Sequence, residues 1–88
     1  MEITKSVSAG SLESSDLLVT LGPAQNGNLD IIVESIVEKQ FGRRIRNIAI
    51  DLLSGNDITE GMVRIQDKGA LECTLRARME TAIERAKE

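Results

Sequence analysis

The apolar residues of this chain keep two different periods, and only a fold that combines strands with helices accommodates both. Leu17, Val19 and Leu21 fall on one side of an extended chain, and Leu29, Ile31 and Val33 repeat the pattern. Over residues 36–53 the period lengthens: Val37, Phe41, Ile45, Ile48 and Leu52 recur at intervals of three and four, one stripe of a helix. Residues 62–66 alternate again, with Val63 and Ile65 facing inward. Leu71, Leu75, Met79, Ala82, Ile83 and Ala86 then mark a second helical stripe, from which Cys73, Arg76 and Glu80 stand aside.

Turn chemistry separates these segments. Gly22, Pro23, Asn26, Gly27 and Asn28 lie between the first two strands and suggest an antiparallel hairpin with a long loop. Ser35 is a suitable N-cap for the first helix, Gly42 weakens its interior by about 1 kcal/mol relative to Ala, and residues 54–57 provide its stop. Asp67 is placed to cap the last helix, which is expected to start near Gly69. Neither stripe buries itself, so the expected fold class is α+β: a two-layer domain in the order β-β-α-β-α, with a small three-stranded sheet covered on one face by two helices. The stretch through Ser11, rich in Ser, Thr, Ala and Gly, lacks a sustained period and reads as a flexible N-terminal arm of about residues 1–16 on a single domain spanning 1–88.

Composition narrows the function. The chain has 88 residues, enough for one modest core, and Phe41 is its only aromatic residue, so aliphatic side chains must fill that core. Acidic residues exceed basic ones by 14 to 11, which with the missing aromatics argues against nucleic-acid binding. Without histidine, and with Cys73 as the single cysteine, the chain lacks Ser-His-Asp and Cys-His catalysis and the usual zinc ligand sets. No apolar run is long enough for a membrane span, and the opening MEITKSVSAG lacks the apolar centre of a signal peptide, so a cytoplasmic protein is expected.

The most unusual local stretch is Ala9-Gly10-Ser11-Leu12-Glu13-Ser14-Ser15-Asp16. A serine that another enzyme modifies must be accessible, and this segment offers that; a solvated polar arm accounts for the same composition. Glu13 and Asp16 lack the burial that would set an acid and a base apart, so solvation or recognition suits them better than catalysis. Arg43, Arg44 and Arg46, with Lys39, form either a cationic patch able to bind phosphate or a solvated helix face. Cys73 has no activating neighbour and is expected to be half-buried and structural. Asp67-Lys68-Gly69-Ala70 holds one glycine before a helix, too little for a phosphate-binding fingerprint.

The blocks AGSLESSD at 9–16, VEKQFG at 37–42, IR at 45–46 and DKGALECTLRARME at 67–80 together resemble the acyl carrier protein, or gamma subunit, of citrate lyase. The resemblance spans nearly the whole chain. It implies that Ser14 forms a phosphodiester with 2'-(5''-triphosphoribosyl)-3'-dephospho-coenzyme A, installed by a prosthetic-group transferase. It implies further that the thiol of that group carries acetyl and citryl thioesters between an alpha subunit that exchanges them and a beta subunit that cleaves citryl to oxaloacetate. The chain itself would be non-catalytic, the chemistry belonging to cofactor and partners. Many relatives have Gly after the modified serine, where this chain has Ser15. The Asp-Ser-Leu motif of the all-helical fatty-acid carriers is absent, so the shared name does not imply their fold. Citramalate lyase uses an equivalent carrier, and a non-catalytic adaptor that docks through the Arg43 to Arg46 face or the last helix is the other reading of a domain without catalytic groups.

Overall fold

The computed structural model describes residues 1–36 and 39–88, with Lys39 and Gln40 described by backbone alone. The elements are β1 (Val7–Gly10), β2 (Leu17–Gly22), β3 (Leu29–Ser35), α1 (Lys39–Gly55), β4 (Gly61–Asp67) and α2 (Glu72–Lys87). The strands form one sheet in the order β1-β2-β4-β3; β2 is antiparallel to both β1 and β4, and β3 is parallel to β4. This is the expected α+β class, with one strand more than the sequence showed.

Register aligns the apolar sides of all four strands. Ala9 faces Val19, Val19 faces Ile65, and Ile65 faces Val33; one step along, Val7, Leu21, Val63 and Ile31 make a second row. Val19, Leu21, Val63 and Ile65 are fully buried. The cover is α2 over β1 and β2, with α1 over β3 and against α2. From α1 come Ile45, Ile48, Ala49 and Leu53, and from α2 come Leu75, Met79, Ala82, Ile83 and Ala86, all buried. Phe41 and Leu52 pack at the margin of this core, while Val37 lies outside the described residues. Among the described residues no helix is long and apolar enough to cross a membrane.

Three expectations need correction. The N-terminal segment is not a loose arm: residues Val7–Gly10 pair with β2, Ile3 is buried, and the terminal amine donates to the carbonyl of Asp57 at 2.6 Å. A four-residue strand with only Val7 and Ala9 facing inward is too short to show a period. The strands at 17–22 and 29–35 run antiparallel, as read, but are not a hairpin, because β4 lies between them. Strands are spaced about 4.8 Å apart, so the loop at 23–28 easily steps over one neighbour, and the β3-α1-β4 crossover returns the chain beside β3 in parallel. Finally, α2 begins at Glu72 with Leu71, not Asp67, at the N-cap position, and Leu71 is exposed instead of joining the stripe.

Asp67 has a different task. It is the buried charged residue of the described chain, facing inward at the end of β4. One carboxylate oxygen accepts from the Ser35 hydroxyl at 2.9 Å and the other from the Ala70 N–H at 3.0 Å. Ser35 thus ties the end of β3 to Asp67, and Asp67 fixes the turn that leads into α2; the amides that the expected Ser35 cap on α1 would meet lie outside the described residues.

The two helices lie side by side in the same direction. Near their starts Arg44 Nε donates to Glu72 at 2.7 Å, and past their ends Lys87 Nζ donates to the Asn56 side chain at 3.1 Å. Both N-termini, the C-terminal ends of β3 and β4, and the β1-β2 connection therefore share one end of the molecule.

Candidate functional site

At that end the chain turns from β1 into β2 through residues 11–16, and every backbone bond of this turn is local or reaches β4. Ser11 N–H donates to the Leu17 carbonyl at 3.1 Å, and Asp16 N–H to the Glu13 carbonyl at 3.2 Å. Ser15 N–H donates to the Lys68 carbonyl at 2.8 Å, and Lys68 N–H returns to the Asp16 carbonyl at 2.9 Å, so the turn is stitched to the end of β4. Gly10, at φ +101°, is required where the turn leaves β1: a Cβ there would stand 1.9 Å from the Leu17 carbonyl oxygen.

Asp16 anchors the base of the turn. Its carboxylate accepts from the Ser11 hydroxyl at 2.7 Å, from the Leu17 N–H at 2.7 Å, and from Arg78 Nε and Nη2 at 3.1 and 3.0 Å. These donors hold its pKa down to about 2, the Ser11 hydroxyl contributing most, then Arg78, then the Leu17 amide. The Arg78 fork fits a carboxylate in two parallel bonds, so it fixes orientation as well as charge. Asp16 is therefore a structural anchor and not half of an acid-base pair with Glu13, which stays exposed.

Ser14 stands above this base, exposed, and its hydroxyl has no hydrogen-bond partner among the described residues. Ser15 beside it is different: its φ of +65° is left-handed and its N–H is spent on Lys68. A left-handed backbone there is the conformation glycine adopts most readily. The hydroxyls of Ser14 and Ser15 are both exposed and without a partner among the described residues, on a turn held at both ends; the two serines differ in backbone, not in access.

The remaining candidates do not converge on Ser14. Arg44 is paired with Glu72, which also meets Arg76 at 3.5 Å, while Arg43 and Arg46 are exposed on α1 and the Lys39 side chain lies outside the description. Cys73 is exposed, contrary to expectation, because the first turn of α2 turns that position away from the stripe. Arg78 is the anchoring residue that sequence reading missed. It lies 62 residues from Asp16, and its only sequence signal was membership in the block at 67–80.

The family described as malonate decarboxylase delta subunit matches residues 4–86. Among curated relatives, the citrate lyase acyl carrier protein of Albidiferax ferrireducens is 49% identical over 98% of this chain and 88% of its own length. The chain belongs to the citrate lyase acyl carrier proteins. That of Escherichia fergusonii is 46% identical over 100% of this chain and 91% of its own length. In the crystal structure of a Pseudomonas malonate decarboxylase hetero-tetramer in complex with malonate, one chain is similar at a TM-score of 0.78 and 27% identity, covering 98% of this chain and 88% of that one. The resemblance read from the sequence blocks is thus borne out, and membership makes this an acyl carrier, a subunit without catalysis of its own.

Proposed function

We propose that the Ser14 hydroxyl is the covalent attachment point of a coenzyme-A-derived group, and that the chain carries acyl groups on it within a cytoplasmic citrate lyase complex. The observation that carries this reading is the exposed, unpartnered Ser14 hydroxyl on a turn whose base is fixed by Asp16 and Arg78. The residues present fit such a group: Ser14 is exposed on a turn that backbone hydrogen bonds to Lys68 hold in place.

The attachment balances as follows. The Ser14 oxygen bonds to the ribose-linked phosphorus of 2'-(5''-triphosphoribosyl)-3'-dephospho-coenzyme A, diphosphate leaves, and the serine proton passes to the transferase that catalyses the step. The attached group supplies a thiol able to carry acyl groups as thioesters. The chain supplies position. The stitched turn keeps the attachment point away from the domain's own surface, and tethering raises the concentration of the acyl group at every active site the arm reaches. In this reading the partners are the transferase, an acyl-exchanging alpha subunit and a citryl-cleaving beta subunit. Identity of 42–49% with the citrate lyase carriers, against 27% with the malonate decarboxylase chain, favours citrate as the source of the acyl group.

Intact mass spectrometry and peptide mapping of the chain from a host expressing the whole lyase system test the proposal. The expected result is one added phosphoribosyl-dephospho-coenzyme A on Ser14, and loss of both the modification and complex activity in Ser14→Ala with the fold retained. An unmodified chain in an active complex, or an active complex containing Ser14→Ala, would falsify it.

A further inference from the structure

The turn at residues 11–16 is held more firmly than joining β1 to β2 requires. Antiparallel neighbours need a loop of about two to five residues and no partners outside it, yet this one, exposed over residues 12–15, is fastened from two other elements. From the end of β4 come the two backbone bonds that join Ser15 and Asp16 to Lys68, and from α2 comes the Arg78 fork on the Asp16 carboxylate. Within the turn, the Asp16 N–H bond to the Glu13 carbonyl closes a β-turn with Ser14 and Ser15 at its corners. The Glu13 N–H donates to the Ser11 hydroxyl at 3.3 Å, and that hydroxyl donates to Asp16.

This shape is unfavourable at Ser15. A left-handed backbone strains a residue that has a side chain, and it persists only where the neighbours impose it. Here they impose it one residue from Ser14, and the core gains nothing, since no residue from Leu12 to Ser15 is buried. A loose segment would give a modifying enzyme the same access without the strain.

We propose that the transferase that modifies Ser14 binds the folded turn, not its sequence alone, and that Arg78 is a positioning residue for this step, acting through Asp16. The proposal rests on the reading of Ser14 as the attachment point. Among the partners in that reading, the transferase alone reacts at the Ser14 oxygen, forming its bond to phosphorus as diphosphate leaves. The acyl-handling subunits act on the thiol at the far end of the group, where the shape of this turn is out of reach. Unfastening the turn lowers the fraction of chains that present it folded, so the apparent KM of the transferase rises by that factor while kcat, set at the bound serine, stays the same.

The test follows transfer of the group onto full-length chain by purified transferase, with amide hydrogen exchange at Ser15 read on the same proteins. Arg78→Ala and Asp16→Asn are expected to speed Ser15 exchange and to raise KM about fivefold or more with kcat within about twofold, Arg78→Lys falling between them and the parent because it keeps the charge without the fork. Ile45→Val, which loosens the core away from the turn, is expected to lower the melting temperature and leave KM unchanged. Faster Ser15 exchange with an unchanged KM, a loss carried by kcat alone, or an equal rise of KM in Ile45→Val overturns the proposal. Unchanged Ser15 exchange in both Arg78→Ala and Asp16→Asn overturns it too, by showing that the pair does not hold the turn. Peptide mapping of the modified parent separates the two readings: a parent modified elsewhere, or not at all, removes the attachment site and this proposal with it, whereas any of the other contrary results leaves Ser14 in place.

Discussion

Arg78 on α2 grips both carboxylate oxygens of Asp16, at 3.1 and 3.0 Å, and thereby ties the helix to the turn that presents Ser14. The depressed pKa of Asp16, about 2 against an ordinary 3.8, gives this anchor a pH dependence. A carboxylate whose folded pKa lies below its unfolded one stabilises fully above the unfolded value and loses that contribution as pH falls through the folded one. Asp16→Asn should therefore melt below wild type at pH 7, keep that gap down to about pH 4, and converge with wild type by about pH 2. Thermal unfolding of both proteins across this range is the check, and a gap that persists unchanged to pH 2 would contradict the anchor.

Ser15 is held left-handed while its N–H is bonded to Lys68. Ser15→Gly relieves that backbone without touching the bond, so it should stabilise the domain by about 0.5–1 kcal/mol, whereas Ser15→Val should destabilise it. Urea midpoints read both effects, and modification on Ser14 is expected to survive Ser15→Gly.

Gly10 lacks room as well as a compatible φ, because the obstacle to a Cβ is the Leu17 carbonyl and not a side chain that can swing away. Gly10→Ala should cost about 1–3 kcal/mol and open the adjacent end of the β1-β2 ladder. Faster hydrogen exchange at the Ser11 amide would accompany the loss; a neutral substitution with unchanged exchange would show that the turn is not so constrained.

Ile3 is as buried as Ile45 and Leu75. Ile3→Ala should thus cost about 2–5 kcal/mol, the same range as Ile45→Ala and Leu75→Ala, although it lies in the segment whose composition reads as a loose arm. Equilibrium unfolding of the three variants decides whether the N-terminus is part of the core, and a cost near zero for Ile3→Ala would restore the arm.

Much of the fold is legible in periodicity because burial imposes it locally: Leu17, Val19, Leu21, Val63 and Ile65 alternate since each strand has one covered face, and Ile45, Ile48 and Leu75 to Ala86 follow helical stripes. Val7–Gly10 escaped this reading since a short edge strand contributes two inward side chains, one of them alanine. Leu71 matched the stripe by spacing alone, but a residue at the N-cap lies outside the helical turn that would carry it to the core.

The sequence by itself determined the strands around 17–21, 29–35 and 62–66, the two helices, the direction of β3 against β2, and the polar stretch that contains Ser14, because these depend on periods and turn residues a few positions apart. Only the tertiary structure decided that β4 separates β2 from β3, that the N-terminus is a paired strand, and that Arg78 reaches Asp16 across 62 residues. Strand partners and ion-pair partners are chosen by which complete arrangement buries the apolar faces together while satisfying the polar groups, and that choice leaves no local period to read.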